Sequence, residues 1–238
     1  MRILEKFQTR ENNLLADLPV IAFLGDSVTQ GCFEVYFRED GNLDTIFESE
    51  HSYPRLLAKR LASLYPRVPA IMINAGISGD SAVGGWKRLE KDILSHKPDL
   101  TIVSFGLNDC MEGNLVAYKE HLNKIFLSLK ENGSEVIFLT ENMMNTRLHE
   151  SITNEKIKNI AKIAMEKQNN GEMESFVNTA KQVSKKCGVV VCDCYEIWKN
   201  MSNNGVDITS LLSNKINHPT REMYQLFADE LLKVLLEK

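Results

Sequence analysis

The chain has 238 residues, 43% of them hydrophobic and 25% charged, which is enough for one sizeable core and ordinary for a globular protein. A net charge of −4 leaves no basic face for nucleic acid, and no apolar run reaches the length of a membrane span. Arg2, Glu5 and Lys6 fall where a signal peptide needs an apolar core, so the expected compartment is the cytoplasm. Cys32, Cys110, Cys187, Cys192 and Cys194 make an odd count without disulfide-framework spacing, which fits reduced thiols.

The opening segment, to about residue 17, reads as a short helix or arm without a motif. Residues 19–24 are an unbroken apolar run of the kind that forms a fully buried strand. That run ends in Gly25-Asp26-Ser27, which puts a hydroxyl at the carboxyl edge of a sheet, where open α/β folds bind ligands. Residues 32–52 carry Phe33, Tyr36, Phe37 and Phe47 among acidic residues around Gly41-Asn42. They are expected to form an irregular loop, either a variable substrate lip or a surface loop pinned by its aromatics. Residues 53–64 form an amphipathic helix with Pro54 in its first turn. The second strand, 70–73, leads into Asn74-Ala75-Gly76-Ile77-Ser78-Gly79-Asp80-Ser81.

A helix over 86–96 presents Leu89, Ile93 and Leu94 inward and is stopped by Lys97-Pro98-Asp99. The third strand, 100–105, runs into Gly106-Leu107-Asn108-Asp109. A helix over 118–130 ends at Asn132-Gly133, and 135–140 is the fourth strand. Residues from about 142 to 186 are polar with helical spacing, an insertion of two helices divided at Asn169-Asn170-Gly171. The fifth strand is 188–193, and a helix over 222–236 closes the chain. Five buried strands alternating with helices predict a parallel sheet covered on both faces. Right-handed crossovers then favour a three-layer α/β/α flavodoxin-like sandwich with a central five-stranded parallel sheet, built as one domain over 1–238.

Four blocks in this order, Gly25-Asp26-Ser27, Asn74 to Ser81, Gly106 to Asp109 and Asn217-His218-Pro219, resemble the SGNH (GDSL-type) hydrolase family of esterases, lipases and deacetylases. The resemblance covers most of the chain and implies the same fold. It also implies hydrolysis of a small acyl ester, an O-acetylated carbohydrate among the candidates, through an acyl-serine intermediate. By position it implies Ser27 as nucleophile, His218 as base, and the Ser27 N–H, the Gly79 N–H and the Asn108 amide as oxyanion donors. The residues are compatible with those roles. A hydroxyl needs a base within hydrogen-bond reach, Gly79 lets the backbone face a ligand, and Asn108 can donate through its amide.

Among five histidines, His51, His96 and His121 fall in the lip or within helices, and His149 is the reserve candidate. His218 precedes Pro219 at the start of the terminal helix, where the positive end of the dipole favours a neutral imidazole. One departure from the family stands out: its fourth block is Asp-x-x-His, and the position three before His218 is Lys215. Asp207 or Asp193 reaching in from elsewhere, Asn214, or a backbone carbonyl are the alternatives for orienting the imidazole. Asp26 and Asp109 read as loop braces. Cys32 and Cys110 flank site blocks and either touch the pocket or pack, whereas Cys192 and Cys194 lack zinc spacing and read as core. No metal or cofactor fingerprint is present, and neither phosphate-binding glycine pattern occurs at the Ser27 loop. The competing readings are a degenerate, non-catalytic ligand-binding protein on the same fold and an acyltransferase using the same serine.

Overall fold

The computed structural model of the protein describes residues 1–237. Helix α1 (Arg2–Asn12) precedes strand β1 (Val20–Gly25), which turns into the four-residue helix α2 (Ser27–Gln30). Strands β2 (Cys32–Phe37) and β3 (Leu43–Phe47) follow, then α3 (Tyr53–Leu64), β4 (Ile71–Gly76), α4 (Ala82–Asp92) and β5 (Leu100–Ser104). The chain continues through α5 (Leu107–Glu112), α6 (Leu115–Glu131), β6 (Glu135–Leu139), α7 (Glu155–Asn169) and α8 (Glu172–Cys187). It ends with β7 (Val190–Cys192), α9 (Cys194–Asn203) and α10 (Arg221–Leu236).

Five strands form an all-parallel sheet in the order β4-β1-β5-β6-β7. Counting only these strands, the order is 2-1-3-4-5, the doubly wound flavodoxin-like arrangement that the alternating pattern predicts. Helices α3 and α10 pack together, and α4, α6 and α8 pack as a second group. Helix α1 lies at the opposite, amino edge, where the Arg2 and Ile3 N–H groups donate to Glu135 and Lys6 pairs with Asp99 at 2.8 Å. The buried apolar side chains form one contiguous cluster. No helix among the described residues is long and apolar enough to cross a membrane.

The apolar runs are strands, but they are not equally buried. β5 is covered throughout, whereas β4 and β7 are edge strands with Ile71 and Val190 exposed. An edge strand keeps the apolar composition of its neighbours while losing one flank. Helix α4 starts four residues before the expected 86, because Gly84 and Gly85 weaken the helical signal there. A Cβ on Gly85 would stand 2.5 Å from Cζ of Phe105, so close packing onto the ring excludes a larger residue.

The largest correction concerns 32–52, expected to be irregular. Its core is an antiparallel hairpin of β2 and β3 with a shift of register between Cys32 and Val35, followed by a short 3-10 turn at Ser49–His51. Its side chains run from buried Phe33 to exposed Tyr36, since the hairpin stands off the main sheet. That half-wet pattern gives no continuous apolar run to read. The insertion at 142–186 does hold two helices, but 140–145 is buried, non-helical chain, and α8 is the crossover into β7.

Candidate active site

Strand β1 delivers Asp26 and Ser27 to the carboxyl edge of the sheet. Asp26 caps α2 by accepting from the Val28 N–H at 2.9 Å. Helix α2 is moored to β4 by the Asn74 amide donating to the Thr29 carbonyl at 3.0 Å. Arg88 of α4 ties the ends of β1 and β4 together, donating to the Gly25 carbonyl at 3.0 Å, the Ala75 carbonyl at 2.6 Å and Asp80 at 2.7 Å. Ser27 is 3% exposed.

His218 arrives from a turn built by Asn214. The Asn214 side-chain oxygen accepts from the N–H groups of Ile216, Asn217 and His218 at 2.9, 2.9 and 3.0 Å. The imidazole Nε2 lies 2.9 Å from Ser27 Oγ, and Nδ1 lies 2.6 Å from the carbonyl oxygen of Phe33 on β2. A carbonyl only accepts, so Nδ1 carries the proton and Nε2 is left to accept from the serine hydroxyl. Burial pulls the imidazole down to about 4, against the opposite pulls of the Phe33 carbonyl and the Glu34 charge.

Lys215 stands at the position of the family's aspartate with φ +59°, its ammonium donating to the Ser210 carbonyl at 3.1 Å. Neither distant aspartate reaches the imidazole. Asp207 is held by Arg147 and Ser210, each at 2.6 Å, and lies below the usual carboxylate range for that reason. Asp193 caps α9 and pairs with Lys181. Asn214 acts on the turn rather than on the ring, so of the four alternatives it is a backbone carbonyl that meets Nδ1. His149 bonds locally to Ser151 at 2.8 Å, His121 to the Ala117 carbonyl at 2.8 Å, and His51 sits 3.7 Å from Glu48.

Gly79 adopts φ +79° with no atom within 4 Å of the place a Cβ would take, and it lines the same pocket as Ser27 and His218. Asn108 is there too, donating to the Asp80 carbonyl at 2.8 Å and to Asp26 Oδ2 at 3.2 Å. The structure therefore brings Ser27, His218, Gly79 and Asn108 to one cavity. Its volume is about 240 Å³, and its apolar walls come from Val35 and Leu43 of the hairpin, Met111 of α5, Ile157 and Ile160 of α7, and Ile216, with Thr45, Ser78, Asn214 and Asn217 adding polar groups. Both stretches expected to vary, the lip and the insertion, contribute to those walls.

Behind the site lie three buried carboxyls. Burial, with Asp80 adding to it, raises Asp26; burial raises Asp109 to about 8; burial, with the Asp26 charge adding to it, raises Glu141 well above the carboxylate range. Asp109 Oδ1 accepts from the Ala82 N–H at 3.0 Å, and Glu141 Oε1 accepts from Ser104 at 2.8 Å. Among the described residues the second oxygens of Asp109 and Glu141 have no partner, as fits carboxyls held neutral. Cys32 and Cys110 are buried outside the pocket lining, and burial pushes Cys110 up to about 12. Cys192 ends β7 and Cys194 begins α9, both buried.

Three positioning groups have no motif in the sequence: the Phe33 carbonyl, Arg88 and the Asn214 turn. A backbone acceptor leaves no residue-type signature. The only local signal was the aromatic content of 32–52.

A parallel doubly wound sheet carrying a hydrogen-bonded serine–histidine pair at the carboxyl edge of its first strand defines a narrow class of α/β proteins. The chain belongs to the GDSL-like lipase/acylhydrolase family, whose sequence profile matches residues 23–226. It is 32% identical over 91 residues to an arylesterase of Vibrio mimicus, covering 38% of this chain and 44% of that protein. It is 28% identical over 89 residues to an acetylxylan esterase of Geobacillus stearothermophilus, covering 37% of this chain and 39% of that protein. These matches span less than half the length of either relative. The crystal structure of Axe2, an acetylxylan esterase from Geobacillus stearothermophilus, superposes with a TM-score of 0.66 at 19% identity over 92% of this chain and 95% of that one. At that identity the likeness speaks for the fold.

Proposed function

We propose that the protein is a carboxylic-ester hydrolase that cleaves a small acyl ester through a covalent acyl-Ser27 intermediate. The observation that carries the reading is the 2.9 Å contact between Ser27 Oγ and His218 Nε2, with the Nδ1 proton fixed on the far side of the ring. As Oγ attacks the ester carbonyl carbon, Nε2 takes its proton. The carbonyl oxygen becomes an oxyanion facing the N–H groups of Ser27 and Gly79 and the Asn108 amide. One such donor is worth about 10²–10³ in turnover. The Asn108 hydrogen on Asp26 is the one released to the oxyanion, since that bond is the longer of its two and the Asp26 carboxyl is raised towards its neutral form. Collapse expels the alkoxide, which takes the proton back from Nε2. Water then repeats the sequence on the acyl-enzyme, releasing the acid and restoring Oγ–H.

The apolar side chains of the wall suit a short hydrocarbon acyl chain, and Thr45, Ser78, Asn214 and Asn217 offer polar contacts to the alcohol part. The acetylxylan esterases among the relatives add acetylated carbohydrate as a substrate class to test. Fluorophosphonate labelling with peptide mapping is the first experiment, with an adduct on Ser27 expected and its loss in Ser27→Ala and His218→Ala. A well-folded protein that takes no label and turns over no p-nitrophenyl ester would instead be a ligand-binding member of the fold. Product appended to an added alcohol would make it a transferase.

A further inference from the structure

The geometry points to Arg221, Glu34 and Glu48 as positioning residues that hold the Phe33 carbonyl against His218, a clamp standing in for the aspartate replaced by Lys215. This inference rests on the proposed serine–histidine chemistry.

The acceptor of the Nδ1 proton belongs to a hairpin that is not part of the main sheet. A carbonyl on such a strand is a good anchor only if the strand is fixed relative to the helix that follows His218. Arg221 supplies that link. It is the first residue of α10, three positions after His218, and its guanidinium engages β2 and the residue that follows β3. Nη1 and Nη2 donate to the two oxygens of Glu34 on β2 at 2.9 and 3.1 Å. Nε donates to Glu48, just beyond β3, at 2.9 Å, and Nη2 reaches its other oxygen.

The same guanidinium lies over the Phe33 ring, 4.3 Å from its centroid. One turn later Tyr224 packs on that ring at 4.9 Å and donates its hydroxyl to the Cys32 carbonyl at 3.0 Å. The Cys32 carbonyl and the Glu34 and Glu48 carboxylates, on either side of the Phe33 carbonyl and across the hairpin from it, are thus tied to the helix that follows His218. The ion pairs are about one-third exposed, so as stabilisers they are worth little. Their planar, two-sided fork is what a positioning role requires and what a lysine could not supply. Glu34 adds a second effect: its charge favours the imidazolium that forms as Ser27 loses its proton, the direction in which a triad carboxylate acts.

The test compares Arg221→Met, Arg221→Lys and the isosteric pair Glu34→Gln with Glu48→Gln against wild type, using a short p-nitrophenyl ester. A carbonyl misplaced by about 1 Å costs on the order of 10²-fold. Arg221→Met is expected to lower kcat by about that factor and to change KM by much less, since Met111, Ile157, Ile160 and Ile216 of the pocket wall lie outside the hairpin. Arg221→Lys, which keeps the charge without the fork, should recover little of the loss, and the double Gln variant should reproduce it in a chain whose packing is unchanged. By ¹⁵N NMR, His218 of wild type should show a single Nδ1–H tautomer and Arg221→Met a mixture.

Arg60→Met is the control, because it cuts another ion pair of the same helix, with Asp229 at 2.6 Å, away from the site. A folded Arg221→Met or double Gln variant with wild-type kcat and a single tautomer overturns the clamp, and so does a loss matched by Arg60→Met. Ser27→Ala with full turnover would overturn the underlying dyad, so the two failures can be told apart.

Discussion

His218 is the proposed base, and among the described residues its partner behind the ring is a peptide carbonyl. Its imidazole is held near 4 by burial, so it stays neutral well below the range of an ordinary histidine. The acid limb of kcat/KM should therefore fall with a midpoint near pH 4, and turnover should be flat from about pH 5.5 to about pH 7, the point at which Asp26 begins to ionise and hold the Asn108 hydrogen. A pH–rate profile checks this, and a midpoint near 6.5 would contradict it. The same shift has a sign for stability. Between about pH 4 and about 6.5 the unfolded chain holds a proton that the folded one does not, so the His218 contribution is complete above about 6.5 and lost as pH falls through about 4.

At this scale the sequence was partly legible. Ser27, Gly79, Asn108 and His218 stood out because each is a side chain or a glycine in a fixed block. The acceptor behind the His218 ring could not, because any residue type can present a carbonyl. Only the fold decides which one arrives.

Among the elements, the central strands declared themselves through unbroken burial, and the helices through apolar spacing. The hairpin escaped, since a ribbon with one wet face and acidic residues on it carries no run of either kind. Yet it supplies Val35 and Leu43 to the pocket as well as the Phe33 carbonyl. Opposite it, α7 offers Ile157 and Ile160. Replacing Ile160 by Trp should narrow the cavity and raise the acetyl-to-octanoyl ratio of kcat/KM at least about tenfold, in line with about 1–3 kcal/mol for a change of pocket size. A chain-length series of p-nitrophenyl esters reads this directly. Packing at α4 is stricter: Gly85→Ala should cost about 1–3 kcal/mol in urea melts, because the added methyl meets the Phe105 ring.

Across the whole molecule, the carboxyls beneath the site set the alkaline side of stability. Asp109 keeps its proton to about pH 8 in the folded state, whereas in the unfolded chain it releases it near the ordinary value of 3.8. Its contribution is complete below about pH 3.8 and is lost as pH rises through about 8; Asp26 and Glu141 act in the same direction. Thermal melts should therefore show Tm falling from pH 6 to pH 9, and Asp109→Asn, which cannot ionise, should flatten that decline. A fall unchanged in the variant would place the effect elsewhere. The five thiols are all free and buried. Ellman's reagent should react with none of them within minutes in the native protein and with all five in guanidinium.

One strand of the hairpin serves two masters, and this restricts how the protein can change. The Phe33 carbonyl meets His218 Nδ1 while Val35, two residues on, lines the pocket. Any shift of that strand to admit a bulkier ester also slackens the imidazole. New substrate ranges are therefore open to mutation chiefly through α7, which touches the cavity and not the relay. Variants selected for altered specificity should accumulate on α7 and spare β2.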